Sequence, residues 1–424
     1  MVQKKPKVAL FAYHSVTNLK HYWDVLKDQV ECVWVTFCPH VFQDLKTLGV
    51  ENVLFRNGWG LDFRSRWLSN VANFFYSRYL QRNLTSIFHD MLNQFRPDIL
   101  ISDIHKGMVV NYQPSCDCMK VQVFHSVCYK EYFLSPSNLE LDLLLLPGEN
   151  HLKQLSNRYG DFIEPNQLKV VGWPRADGLA KTHLDEKERE RILALLGLDP
   201  ARKTVLYAPT HDSFFEKGLF PCSFGDMWEA FEIFCSSVRG LGGNLIVKFH
   251  PLSHKLIHDK RVHKIADRYG VCLAYRKTSL HLDDTLEKWL HVSDVLVSDV
   301  SGILIDFLAL DKPLVYIEPD ASDFSWSNVD ISPDLRAGEV ANSMEALVDA
   351  IKISFKEPKK YSKEREKVRE QVLGSLDGGA AQRGVEGILG YYPRFIESLK
   401  DPVFREKRSQ MKVQLRKKFG LLFE

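Results

Sequence analysis

The sequence has no apolar stretch long enough to cross a bilayer. Its longest apolar runs, such as Leu141–Pro147, fall far short of the roughly 20 residues that a spanning helix needs. A signal-peptide pattern is also missing, because three early lysines lead directly into a short strand. The eight cysteines show no paired spacing, and Cys116-Asp-Cys118 is too tight for the usual zinc knuckle. We therefore expect reduced thiols, no metal site and no cofactor, in a cytoplasmic protein.

A strong charge of either sign is missing as well. The 56 Lys and Arg residues nearly balance the 54 Asp and Glu residues, so no overall field attracts a polyanion. No basic recognition helix or zinc pattern is present, and we expect no nucleic-acid partner. A hydrophobic content of 45% in 424 residues is typical of a soluble protein with two full domain cores.

Short apolar strands alternate with helical segments in both halves of the chain. The strand candidates are Val8–Tyr13, Cys32–Phe37, Asn52–Phe55, Ile99–Ser102, Lys120–His125, Leu141–Leu146, Thr204–Ala208, Asn244–Phe249, Val271–Ala274, Val295–Ser298 and Pro313–Ile317. This alternation predicts an α/β fold with two doubly wound parallel sheets that face each other across a cleft. We expect domains at residues 1–175 and 176–384, followed by a basic helical tail at 385–424.

The most informative segment is VSDVLVSDVSGILIDFLALDKPLVY, which begins at Val292 and ends at Tyr316. Ser298, Asp299, Ser301 and Gly302 lie where a strand passes into an apolar helix. Unpaired N–H groups and the helix dipole favour an anion at such a place. The alternative is an ordinary capped helix without a ligand, with Ser301 as its N-cap.

Polar residues also follow other strands of the second half. VVGWPRAD carries Arg175 after a Gly/Pro turn, LYAPT ends in Thr210, VKFHP carries Lys248 and His250, and DGGAAQR ends in Arg383. Ligands of open α/β sheets bind outside the carboxyl ends of the strands. Several polar strand ends in succession therefore favour a nucleotide site, although each of them alone could be structural.

Together these segments resemble the CDP-glycerol:poly(glycerophosphate) glycerophosphotransferase family of teichoic-acid primases and polymerases. VVGWPRAD is similar to its GYPRND segment, LYAPT to YAPT, VKFHP to (R/K)xHP, and DGGAAQR to DGxASxR. The segment Ser293–Tyr316 is similar to the family's SDVLITDYSSxxFDFxxLxKPxxF element. Their order agrees over residues 170–383, about half of the chain.

The resemblance implies a GT-B fold with the donor nucleotide in the C-terminal domain and the acceptor in the N-terminal domain. The chain departs from the family where YAPT is followed by His211-Asp212 instead of Trp-Arg, and where Phe124-His125-Ser126 replaces a WHG-like strand end. These departures affect the expected polyol more than the expected nucleotide.

The mechanism implied is attack of an acceptor hydroxyl on the β-phosphorus of a CDP-activated donor. We expect His125 to act as the base and His250 to donate to the diphosphate. His105 and His14 also follow N-terminal strands and remain alternatives to His125. The expected donor-binding set is Arg175, Thr210, Lys248, Ser298, Asp299, Ser301, Gly302 and Arg383.

Two segments combine aromatic or apolar residues with basic ones. In Leu61–Leu84, Trp67 and neighbouring phenylalanines follow helical spacing beside several arginines. In Asp401–Glu424, basic residues flank an apolar side that contains Leu415 and Phe419. Both patterns suit an anionic membrane surface, although core packing explains the first equally well. We expect a peripheral protein at the inner face of the cell membrane, acting on a lipid-linked glycan or a polymer of the teichoic-acid or capsule type.

Two other functions remain open at this stage. One is a GT-B glycosyltransferase or epimerase that uses a nucleotide-sugar. The other is a non-catalytic relative that has kept the nucleotide site.

Overall fold

The computed structural model describes residues 5–13, 15–56, 84–104, 107–112, 117–124, 131–182, 184–210, 220–221, 224–250, 253–276, 282–318 and 335–421. The chain divides into two compact units. The first unit comprises Met1–His125, Leu134–Arg175 and Asp377–Glu424. The second comprises Ser126–Phe133 and Ala176–Leu376.

The first unit contains a seven-stranded sheet in the order β3-β2-β1-β4-β5-β6-β7. Its strands are β1 Lys7–Phe11, β2 Glu31–Thr36, β3 Val53–Phe55, β4 Ile99–Ser102, β5 Met119–Gln122, β6 Leu143–Leu146 and β7 Leu168–Val170. All of its pairings are parallel.

The second unit repeats this order with six strands, β10-β9-β8-β11-β12-β13, again all parallel. These strands are β8 Thr204–Tyr207, β9 Asn244–Val247, β10 Cys272–Leu273, β11 Val295–Ser298, β12 Leu314–Ile317 and β13 Glu339–Ala341. Counted within each unit, the order 3-2-1-4-5-6 is that of a dinucleotide-binding Rossmann sheet. The predicted α/β class with two doubly wound parallel sheets is confirmed.

Helices connect the strands. They are α1 Thr17–Leu26, α2 Pro39–Thr47, α3 at 84–95, α4 Gly107–Val110, α5 Glu149–Tyr159, α6 Pro174–Lys181, α7 Glu186–Leu195, α8 Met227–Gly240, α9 His254–His258, α10 Lys260–Tyr269, α11 Leu282–Val292, α12 Ile303–Leu308, α13 Met344–Lys356, α14 Ser362–Leu373, α15 Ala380–Ser398 and α16 Pro402–Phe419. Side chains start several of them: Asp226, Asp259 and Ser343 accept hydrogen bonds from the first-turn N–H groups of α8, α10 and α13.

Each predicted strand segment overlaps an observed strand, with boundaries that differ by a few residues. The central strands read as continuous apolar runs because both faces of a parallel sheet are covered by helices, and β4, β6, β8, β9 and β11 are buried at every position. The sequence did not predict β13, which is short and partly exposed. A Cβ atom on Gly338 would lie only 2.1 Å from the Leu314 carbonyl oxygen. The residue before β13 must therefore be glycine for the chain to approach β12 this closely.

The last helix, α16, packs against the first unit through the face that was expected to contact a membrane. Leu415 is 1% exposed, and the Phe419 ring lies edge-on to Tyr159 at 5.2 Å and to Phe162 at 5.9 Å. The expectation that the apolar side of the tail meets lipid is therefore wrong, because that side is already buried within the protein.

Three of the tail's cations are also bound within the first unit. Arg408 pairs with the buried carboxylates of Asp142 and Glu164, and Lys412 donates to the Glu140 carbonyl oxygen at 2.6 Å. Burial alone would raise the pKa of Asp142, but the nearby cations outweigh this effect and hold that pKa below its usual value. Arg416 pairs in the same way with the Glu140 carboxylate at 2.7 Å.

Candidate functional site

The second sheet reverses its strand order between β8 and β11, which is where open α/β sheets bind ligands. Thr210 follows β8 and Asp299 follows β11. The backbone N–H of Thr210 donates to both carboxylate oxygens of Asp299, at 3.0 and 2.9 Å. The two strand ends are thus joined at the switch point, as their positions in the sequence predicted.

The buried side chains of Asp299 and Ser298 link the end of β11 to the residues that follow β8. Both are buried, at 1% and 0% exposure. The Ser298 hydroxyl donates to the Ala208 carbonyl oxygen at 2.6 Å, and Asp299 also accepts from the N–H of Val300 at 2.6 Å. A carboxylate would repel a phosphate, but this one is turned towards backbone N–H groups of its own fold.

The turn that follows β11 presents hydrogen-bond donors. Helix α12 begins at Ile303 with Gly302 as its N-cap and no side-chain cap, so the alternative of an ordinary helix capped by Ser301 does not describe this turn. Within the described part of the chain, no hydrogen bond engages the backbone N–H groups of Ser301, Gly302 or Ile303. Ser301 and Gly302 are half-buried, so these three donors remain available to an anion.

Lys248 and His250 follow β9, the neighbour of β8 on its other side. The N–H of Lys248 continues the ladder to the Tyr207 carbonyl oxygen at 2.9 Å. Phe249 is 5% exposed and belongs to the core of the unit, whereas Lys248 and His250 on either side of it are half-buried. The ends of β9, β8 and β11 therefore bring Lys248, His250 and Thr210 to the edge of the sheet that also carries the Ser301–Gly302 turn.

The two predicted arginines, Arg175 and Arg383, lie in the first unit instead. The Arg383 guanidinium pairs with the Asp377 carboxylate at 2.7 Å and donates to the Val171 carbonyl oxygen at 2.9 Å. Arg175 is half-buried, and its guanidinium lies 5.5 Å from the centre of the Trp173 ring. Arg383 thus links the Asp377–Gly379 turn to the loop that follows β7.

The first sheet has its own switch point between β1 and β4, and a residue not singled out in the sequence lies there. Asp103 directly follows β4 and is 3% exposed. Burial raises the pKa of this carboxyl to about 7, against a smaller opposing effect of a hydrogen bond with Asn18 of α1. The sequence signal was an acid immediately after an apolar strand, in the same SDIHKG segment from which only the histidine was considered.

Several expected residues lie outside the described residues. They are His125, His105 and His14, together with residues 61–83 of the aromatic and basic segment. Their expected roles remain predictions.

Within the described ranges, no group of three or more His, Cys, Asp or Glu side chains is arranged to hold a metal ion. None of the helices described has the length and apolarity needed to cross a bilayer.

The sequence profile of the CDP-Glycerol:Poly(glycerophosphate) glycerophosphotransferase family matches residues 142–390. The chain is 21% identical over 365 residues to the teichoic acid ribitol-phosphate polymerase TarK of Staphylococcus aureus, covering 82% of this chain and 62% of that protein. It is 24% identical over 211 residues to a teichoic acid poly(glycerol phosphate) polymerase of Bacillus spizizenii, covering 43% of this chain and 48% of that protein. This chain therefore spans between about half and two thirds of these two relatives.

A solved structure of the wall teichoic acid polymerase TagF has the same fold. It superimposes with a TM-score of 0.58 at 15% identity, covering 93% of this chain and 91% of the other. With two Rossmann-like units, the fold is GT-B, as the resemblance in the sequence implied.

Proposed function

Because this chain belongs to the CDP-glycerol:poly(glycerophosphate) glycerophosphotransferase family, we propose that it is an enzyme that transfers a polyol phosphate from a CDP-activated donor to a hydroxyl group. The acceptor is a membrane-linked glycan or a growing polymer of the teichoic-acid or capsule type. The observation that supports the proposal is the junction of Thr210 with Asp299 at the switch point of the second sheet, beside the Ser301–Gly302 turn and one strand away from the end of β9 that carries His250.

In the proposed reaction the acceptor oxygen attacks the β-phosphorus of the donor. A new P–O bond forms, the bond from the β-phosphorus to the bridging oxygen breaks, and CMP leaves with the electron pair. His125 takes the proton from the acceptor hydroxyl, and His250 donates a hydrogen bond to the diphosphate.

The turn after β11 supplies the proposed diphosphate contact. The N–H groups of Ser301, Gly302 and Ile303 are preorganised donors, and such donors stabilise charge without reorganising during the reaction. Ser298 and Asp299 position this turn, because their side chains are buried and hydrogen-bonded to the residues that follow β8. Lys248 is the proposed cation beside the donor, and the supporting roles expected for Arg175 and Arg383 remain predictions.

The donor assignment is tested by incubating the protein with CDP-glycerol, CDP-ribitol and UDP-N-acetylglucosamine, each with a short polyol-phosphate acceptor. We expect release of CMP and extension of the acceptor with at least one CDP donor. His250→Ala should lower kcat/KM by 10²-fold or more, whereas replacing the exposed His40 in the same way should have no effect. Release of UDP in place of CMP would contradict the proposal.

Gly302→Pro tests the backbone contact directly. Gly302 has a φ of −60°, which suits a proline ring, so the substitution removes one N–H while keeping the local backbone angle. Loss of a single preorganised donor should lower kcat/KM by about 10²-fold. Gly302→Ala keeps the N–H and serves as the control. Equal activity of the two variants would exclude this N–H from donor binding.

We also propose peripheral attachment to an anionic membrane at the inner face of the cell membrane. After the internal pairing of Arg408, Lys412 and Arg416, α16 still exposes Arg405, Lys407 and Lys417. Binding to phosphatidylglycerol vesicles at low salt and release at high salt is the expected behaviour, since exposed charges are screened. Failure to bind vesicles at low salt would contradict this attachment.

A further inference from the structure

The second unit has a cavity lined by basic residues at the helices that connect β9 to β10. It has a volume of about 570 Å³ and is lined by His258, Lys260, His263, Lys264 and Asp267 of α9 and α10. These two helices connect β9 to β10, the outer strands of the sheet on this side. The apolar residues of α10 are buried in the core, so its polar side is fixed outward.

The positive charge of this cavity is not balanced by the fold. The two arginines of α10, Arg261 and Arg268, are each paired with a neighbouring carboxylate. Lys260 and Lys264 are exposed and, in the part of the chain that the structure describes, form no ion pair. Among the described residues that line the cavity, Asp267 is the one acid, so the two lysines leave a net positive charge there. Two unpaired cations therefore face a recess that can hold an anion.

A chain of side-chain contacts leads from the cavity to the segment that follows β9. The His263 imidazole lies 2.9 Å from the Ile257 carbonyl oxygen and 3.3 Å from the Tyr275 hydroxyl. The Tyr275 ring stacks on Phe249 with the centroids 6.1 Å apart. Phe249 is the residue between Lys248 and His250. Helix α10 is thus packed, through His263 and Tyr275, onto the core side of the chain segment that follows β9.

We propose that this cavity binds a phosphodiester group of the polyanionic polyol-phosphate chain, at a repeat behind its growing end. This inference rests on the proposed function, because only a polymer of that kind has further phosphates when its end is at His250. The two exposed lysines match the repeated negative charge of such a chain, and their spacing of one helical turn lets both contact the same phosphodiester segment. Held there, the chain dissociates more slowly between additions.

The test compares two double variants with the same change in charge. Lys260→Gln/Lys264→Gln removes the cations of the cavity. Lys352→Gln/Lys356→Gln removes two exposed lysines with the same spacing on α13, in the same unit. Binding of fluorescent poly(glycerol phosphate) is measured by anisotropy at several salt concentrations. The cavity variant should bind about tenfold more weakly and with a flatter salt dependence, and the control variant should match the wild type.

Transfer assays add a second measurement. The cavity variant should lose activity with long acceptors but keep the wild-type rate and donor KM with a single-unit acceptor. The four lysines are exposed, so both variants should unfold at the wild-type temperature, which is checked first. If both variants bind the polymer like the wild type, the inference is overturned.

Loss of binding to phosphatidylglycerol vesicles with unchanged polymer binding would also overturn the inference, since it would identify a membrane contact. The outcome is separable from that of the proposed function. If no CDP donor is turned over but polymer binding still depends on Lys260 and Lys264, the cavity assignment stands and the transferase assignment fails.

Discussion

At the scale of single residues, two buried carboxyls lie directly after strands: Asp299 follows β11 and binds the Thr210 backbone, and Asp103 follows β4. The sequence placed Thr210, Ser298 and Asp299 at strand ends, because apolar runs that stop at polar residues mark the carboxyl edge of a parallel sheet. It could not show that Asp299 faces the Thr210 backbone, since that hydrogen bond joins residues 89 positions apart. The burial of Asp103 was equally hidden, because it depends on contact with α1.

Asp103 gives a prediction for stability against pH. The folded-state pKa of about 7 lies above the ordinary value of 3.8, so its contribution to folding is complete below pH 4 and is lost as the pH rises through 7. Asp103→Asn removes this titration and should flatten the fall in the free energy of unfolding between pH 5 and 8, by the order of 2 kcal/mol. Urea unfolding across this range measures it.

The control for Asp103 is Asp161→Asn, which changes an exposed carboxyl of the same unit. Its pH profile should follow that of the wild type. Parallel profiles for the wild type and Asp103→Asn would show that the carboxyl is ionised throughout this pH range.

At the scale of elements, the sequence identified the helix at the end of the chain but not its partner. A helix with basic residues beside an apolar stripe can lie on an anionic membrane or pack against an acidic protein surface. In either place the apolar stripe is buried and the basic residues lie near anions. What decides between them is the acidic set Glu140, Asp142 and Glu164, which lies more than 240 residues before Arg408. Local sequence carries no signal for a pairing at that separation.

Arg408→Gln should destabilise the first unit strongly. It leaves the carboxylates of Asp142 and Glu164 buried without their main counter-ion, and breaking such a pair typically costs about 3–5 kcal/mol. Arg405→Gln, three residues earlier on the exposed side of α16, is the control and should change the free energy of unfolding by less than about 0.5 kcal/mol. Equal effects of the two substitutions would mean that the buried pair contributes little.

At the scale of the whole molecule, the sequence predicted two Rossmann-like units and the GT-B fold. The sequence-based expectation of a separate tail at 385–424 differs from the packing of the chain, in which Asp377–Glu424 belongs to the first unit. Val385, Ile388 and Phe395 of α15 are part of that unit's core. The order of strands and helices in a sequence predicts the layered architecture of each unit. It does not predict which of the two sheets a C-terminal helix packs against.

Ending the chain at Leu376 should therefore disrupt the first unit and spare the second. The shortened chain loses α15, whose Gly384 lies against Tyr22 so closely that a Cβ atom there would be 2.4 Å from the Tyr22 ring. Limited proteolysis with mass spectrometry should show cleavage within residues 1–175 and protection within 184–376. A chain ending at Gly420 is the control and should resist cleavage in both regions. Protection of residues 1–175 in the shortened chain would contradict this prediction.

Because residues 377–424 belong to the first unit, the two units cannot complete their folding in the order in which they are synthesised. Residues 176–376 form a continuous stretch that can fold as soon as it emerges, whereas Glu140, Asp142 and Glu164 pair with arginines more than 240 positions later in the chain. Until Arg408 and Arg416 have emerged, the carboxylates of Glu140, Asp142 and Glu164 lack the arginines that neutralise them in the folded unit. The first unit therefore cannot complete its packing while residues 176–376 are being synthesised.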